Sequence, residues 1–105
     1  MTLNLDLPYG LNERELEIVE SNVGLSISYI LGAINKHYKD GVSGSEGRAI
    51  GRIQKKLRVL KEGGEKTVEL EISESELLRS IFKAATYEPQ VAQYRMLLED
   101  EINKD

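Results

Sequence analysis

Ser21–Asn35, SNVGLSISYILGAIN, holds no charged side chain in a chain whose residues are 30% charged. Any core must be built on it, so its periodicity decides the fold. Val23, Leu25, Ile27 and Tyr29 alternate with Gly24, Ser26 and Ser28, the pattern of a half-buried strand. Against this, Leu16, Val19, Val23, Ile27, Ile30, Ile34 and Tyr38 recur at spacings of three and four. The second pattern begins before the uncharged stretch and continues past it. It predicts a helix from about Glu13 to Lys39, roughly 40 Å long at 1.5 Å per residue, with a kink or break near Gly24.

Ser21, Gly24, Ser28, Gly32 and Asn35 fall close to one line on the other side of that helix. A helix without a charged face is expected to be covered on both sides. Glycine in a helix interior costs about 1 kcal/mol relative to alanine, so a packing reason is expected. Close contact with another helix of the monomer is the first expectation, and a subunit interface through Ser21, Gly24, Ser28 and Gly32 is the second. A membrane span is not expected, because the run falls short of the roughly 20 apolar residues needed and is rich in Ser and Asn.

Outward toward the N-terminus, Thr2 to Leu7 reads as a strand with Leu3, Leu5 and Leu7 on one face. Pro8-Tyr9-Gly10 ends it as a turn, and Asn12 with Glu15 forms a capping box for the central helix. Outward toward the C-terminus, His37 to Gly41 ends that helix, and residues 41–47 form a Gly- and Ser-rich loop. Ser43 and Glu46 offer a second capped start. From there to Glu62, Ile50, Ile53, Leu57 and Leu60 make an amphipathic stripe, with Arg48, Arg52 and Lys55 almost opposite. Gly63-Gly64 closes this helix. Lys66 to Ile72 alternates Val68, Leu70 and Ile72 with Thr67, Glu69 and Glu71, a strand with one apolar face. Ser73 and Glu76 offer a third start, followed by an apolar face of Leu77, Leu78, Ile81, Phe82, Ala84 and Ala85. After the break at Glu88-Pro89, Val91, Tyr94, Leu98 and Ile102 line a last helix, expected to fray over residues 100–105.

The expected fold is therefore α+β and mainly helical. Two antiparallel helix pairs accompany a short two-stranded antiparallel ribbon, in the order β-α-α-β-α-α within a single domain, residues 1–105. A two-stranded ribbon is marginal alone, so it must lie on the helices or add strands from a second copy or a partner at an exposed edge.

Charge is unevenly distributed. The net charge is −4, yet residues 48–61 carry six basic side chains and no acidic one. This basic helix either balances acidic neighbours or forms an anion-binding ridge. Ser43, Gly44, Arg48, Arg52 and Lys55 are the candidate ligand residues, because a helix start offers free N–H groups to an anion. The loop departs from a P-loop, with Arg48 at the lysine position and Ala49 in place of the Mg²⁺-binding hydroxyl.

No cysteine is present, which excludes disulfides, thiolate nucleophiles and cysteine-ligated metals. His37 is the only histidine and has no partner in the sequence for catalysis or metal binding. No pair of carboxylates marks itself as acid and base, and neither a metal nor a cofactor is expected. Nucleic acid is not the expected partner, since stacking aromatics are absent beside the basic residues. The N-terminus lacks the basic start and apolar run of a secretory signal, so a cytoplasmic protein is expected. In general look the chain is similar to many small phage or mobile-element proteins, a likeness of style that carries no residues over.

The functional expectation is a non-enzymatic binding protein, regulatory or inhibitory through protein contacts, with itself and an unidentified protein as partners. The alternative is a small anionic ligand or nucleotide binder that uses the 41–48 loop and the helix over 48–61.

Overall fold

The computed structural model describes residues 1–104. Its order is β1 (Thr2–Asn4), α1 (Glu13–Val19), α2 (Asn22–His37), α3 (Gly44–Gly63), β2 (Thr67–Glu69), α4 (Ile72–Ala84) and α5 (Ala92–Asn103), with a 3-10 turn at Pro89–Val91. The fold is the expected mainly helical α+β, with one more helix because the first is broken in two. The decisive stretch is helical, as its three-and-four spacing requires.

The break lies at Glu20–Ser21, ahead of Gly24. Glu20 takes φ 71°, in the left-handed region. Ser21 then starts α2, its hydroxyl accepting a hydrogen bond from the Gly24 N–H at 3.0 Å. Gly24 makes the turn sterically feasible, because a Cβ there would stand 2.2 Å from the carbonyl oxygen of Val19. The glycine's role is thus close approach to the preceding helix.

β1 and β2 pair antiparallel, with Leu3 opposite Val68. Bonds from Leu5 N–H to the Lys66 carbonyl and from Leu70 N–H to the Met1 carbonyl, 2.8 and 2.7 Å, continue the ladder at each end. The ribbon is shorter than the segments 2–7 and 66–72, although Leu5, Leu7 and Leu70 remain buried. Ile72 departs from the expected inward face: it is 77% exposed, because α4 begins there and strand alternation stops. The start of α4 is also shifted. Glu71 is the cap residue, its N–H donating to the Glu74 carboxylate at 2.8 Å, where Ser73 and Glu76 were expected. Ser43 does precede α3, but its side chain makes no capping bond. The box at Asn12 and Glu15 forms as read.

Side chains close the ribbon's edges. The Glu101 carboxylate accepts from the Asn4 N–H at 3.3 Å, and the Lys56 ammonium donates to the Glu69 carbonyl at 3.1 Å. Of the two expected supports for the ribbon, packing on the helices or strand addition at an exposed edge, these contacts cover the edge at the points where they are made.

The core joins Leu3 and Leu5 to Ile30 and Ile34 of α2, Ile53 and Leu57 of α3, Leu78 and Ile81 of α4, and Leu98 and Ile102 of α5. Residues 100–103 continue α5, with Ile102 in that core and its carbonyl accepting from the Arg79 side chain at 3.0 Å. Ser26 is also buried. Its hydroxyl donates to the Leu5 carbonyl at 2.7 Å and meets the Tyr9 hydroxyl at 2.6 Å, fixing the N-terminal segment to α2.

The row of small residues does not pack inside the monomer. Ser28, Gly32 and Asn35 are exposed, since α2 turns Leu25, Ile27, Ile30, Ala33 and Ile34 inward and leaves the opposite side to solvent. Ser21 and Gly24 belong to the turn from α1. Among the described residues, no helix is long and apolar enough to cross a membrane.

Candidate anion-binding pocket

The five residues read as an anion site stand apart from one another in use. Ser43 and Gly44 lie exposed at the start of α3, and Arg48 is exposed one turn on. Arg52 leans onto α4, its Nε 3.2 Å from the Glu74 carboxylate. Lys55 lines a shallow groove of about 370 Å³ that also contains Glu65 and Glu69.

Glu74 explains much of the basic helix. It is fully buried, yet its carboxylate receives Lys56 Nζ at 2.6 Å, Arg52 Nε at 3.2 Å and the Glu71 N–H at 2.8 Å. Burial pushes its carboxyl up. The Lys56 hydrogen bond, the Glu71 N–H and Arg52 outweigh that and hold it below the ordinary value. A buried carboxylate with this many donors is satisfied, and it is the internal complementarity that the charge layout allowed.

Arg95 is the opposite case. It is 8% exposed and sits on α5 at the spacing of the buried stripe. Its guanidinium carbon lies 5.4 Å from the ring centre of Tyr29, 5.0 Å from Phe82 and 5.1 Å from Tyr87. These rings come from α2, from α4 and from the segment between α4 and the 3-10 turn. Their electron-rich faces favour a cation by about 0.5–2 kcal/mol each. They supply no carboxylate. Burial raises the Tyr29 phenol, and the Arg95 charge works against that rise. Among the described residues Arg95 has no ion pair, and its buried Nε–H has no hydrogen-bond acceptor. Leaving such a donor unmet costs about 1–3 kcal/mol.

Arg95 lines a half-enclosed pocket of about 270 Å³ between α2 and α4. Its walls are Gly32 and Ala33 from α2 and Ile81, Ala84 and Ala85 from α4 and its end. Lys36, His37 and Thr86 complete it, so three residues of basic type and none of acidic type line the pocket. That selection is notable in a chain with 18 acidic residues. The Lys36 ammonium reaches the Thr86 carbonyl at 3.4 Å, tying the end of α2 to the segment that carries Tyr87. His37 stacks edge-on against Tyr38, ring centres 4.7 Å apart.

Gly32, read from sequence as part of an interface row, stands at this pocket. A Cβ there would meet nothing within 4 Å. Of the other pocket residues, the sequence singled out His37 as the only histidine and read Ile81, Ala84 and Ala85 as an apolar helix face, while Lys36, Thr86 and Arg95 were not singled out. One signal for Arg95 was present: Val91, Arg95, Leu98 and Ile102 are spaced four, three and four, which puts a guanidinium on the apolar side of α5. Among the described residues, no group of three His, Asp or Glu converges as a metal site would require.

Comparison with protein-family models, curated proteins and solved structures finds no match for this chain.

Proposed function

We propose that this is a non-catalytic binding protein that holds an anionic group against Arg95. The observation supporting this is an arginine more than nine-tenths buried, without an ion pair among the described residues, lining a pocket free of acidic residues. Buried charges are ordinarily paired. A bound anion supplies the missing partner, and the low dielectric that penalises the empty site strengthens the filled one. Lys36 and His37 add donors at the pocket's edge.

The test is thermal unfolding in acetate, benzoate, sulfate and inorganic phosphate, each matched in ionic strength with chloride. At least one anion should raise the unfolding temperature of the wild type and leave Arg95→Leu unmoved. A ligand at a hundredfold excess over its Kd stabilises by about 2.7 kcal/mol. Equal responses of the two proteins to every anion would refute the reading.

A second reading is regulation or inhibition through protein contacts, with self-association among them. It is favoured by Ser28 and Asn35, which project from the uncharged stretch of α2 into solvent. Light scattering coupled to size exclusion should then give a mass above that of one chain. A monomer at every concentration would remove the self-association.

A further inference from the structure

We infer that the ligand of the Arg95 pocket is a small monocarboxylate with an apolar body, an inference that rests on the anion-binding reading above. Three features set the class. The first is charge. Arg95 is the only buried cation in the pocket, and one buried guanidinium is balanced by one negative charge. A phosphate dianion needs a second fixed cation within the low-dielectric site. Lys36 and His37 are both exposed, so neither supplies a fixed charge within the low-dielectric site.

The second feature is shape. Three aromatic rings crowd the guanidinium. The carboxylate is the planar anion whose two oxygens match two parallel N–H groups at a guanidinium edge. The third is the wall. Ala84 and Ala85 offer a small apolar patch beside the charged end, with Ile81 and Ala33 buried behind it. A cavity of about 150 Å³ holds benzene, so a 270 Å³ pocket admits a ring or short branched chain together with a carboxylate arm. Ligand sites of this type combine an apolar lining with a few polar groups that fix orientation.

Calorimetric titration with phenylacetate, phenylacetamide and inorganic phosphate at neutral pH tests this. Phenylacetate should bind, while the uncharged amide and phosphate each bind at least about tenfold more weakly, the difference one charge-assisted contact makes. Arg95→Leu should abolish phenylacetate binding. Because a core change can disturb folding, Ala84→Leu provides a second variant. Ala84 is exposed and lines the pocket, so it stands outside the core. The added bulk should weaken phenylacetate at least about tenfold, as filling a pocket does, while the protein unfolds at its usual temperature. Phosphate binding tighter than phenylacetate, with loss in Arg95→Leu, would overturn the monocarboxylate class and leave the anion reading standing. Equal binding of phenylacetate and phenylacetamide would likewise overturn it. If none of the anions in either experiment binds, both readings fall.

Discussion

Glu74 and Arg95 are two buried charges in one small core, and they are handled in opposite ways. Glu74 is met by an ammonium, a guanidinium and a backbone N–H. Arg95 is met by three aromatic faces and an open pocket. The paired charge belongs to the fold: it joins α3 to the start of α4 and, through Lys56, closes the edge of β2. The unpaired charge is a cost carried by the fold alone, and this is why function is assigned to it.

The comparison breaks most sharply if Glu74 loses its partner. Lys56→Met leaves a fully buried carboxylate with one side-chain donor. Lys56 is about one-third exposed, which reduces the penalty below that of a fully buried pair, to about 2 kcal/mol in urea unfolding. Adding Glu74→Leu to that variant should restore part of the loss, since an apolar replacement removes the stranded charge. No recovery in the double variant would mean that Glu74 acts through something besides its charge.

Acid gives the next effect. The folded Glu74 carboxyl is held below its ordinary value, so the unfolded state takes up a proton first as pH falls. Its contribution is present above the unfolded value of about 4.3 and fades as pH drops through the lower folded value. Unfolding free energy measured from pH 6 to 3 should fall for the wild type and fall less steeply for Lys56→Met. Parallel curves would separate Glu74 from acid stability.

Arg95→Leu should do far less to the ligand-free protein. Losing the cation–aromatic contacts opposes losing an unmet buried charge, which leaves the free protein within about 1 kcal/mol of wild type. A loss as large as that of Lys56→Met would make Arg95 a structural residue like Glu74. The smallest effects belong to the surface. Ser28→Leu should stay within about 0.5 kcal/mol, as exposed substitutions do. Arg48→Gln combined with Lys55→Gln should leave anion binding at Arg95 unchanged.

The sequence made the architecture legible wherever one period persisted. The run from Leu16 to Tyr38 carried α2, and the alternation through Val68 and Leu70 carried β2. One start was misplaced for a local reason: Ser73 has the chemistry of a cap, yet Glu71 caps α4, whereas Ser43 stands at the cap position of α3 as read, without a side-chain capping bond. The break at Glu20 was hidden because a left-handed glutamate leaves no compositional mark, while Gly24 nearby did. The site was less legible. Basic residues at 48–61 drew attention through their number, although part of that charge neutralises Glu74. Arg95 and Glu74 are single charges within apolar stripes, and only tertiary contacts distinguish the paired one from the other.

The most direct test observes the guanidinium of Arg95 itself. With ¹⁵N-arginine labelling, its resonance should shift as phenylacetate is added and saturate with the calorimetric Kd, because charge-assisted hydrogen bonds form at the guanidinium. Addition of phenylacetamide should leave it in place. An Arg95 resonance that stays fixed while phenylacetate binds would contradict the account, for the anion would then be held by other residues.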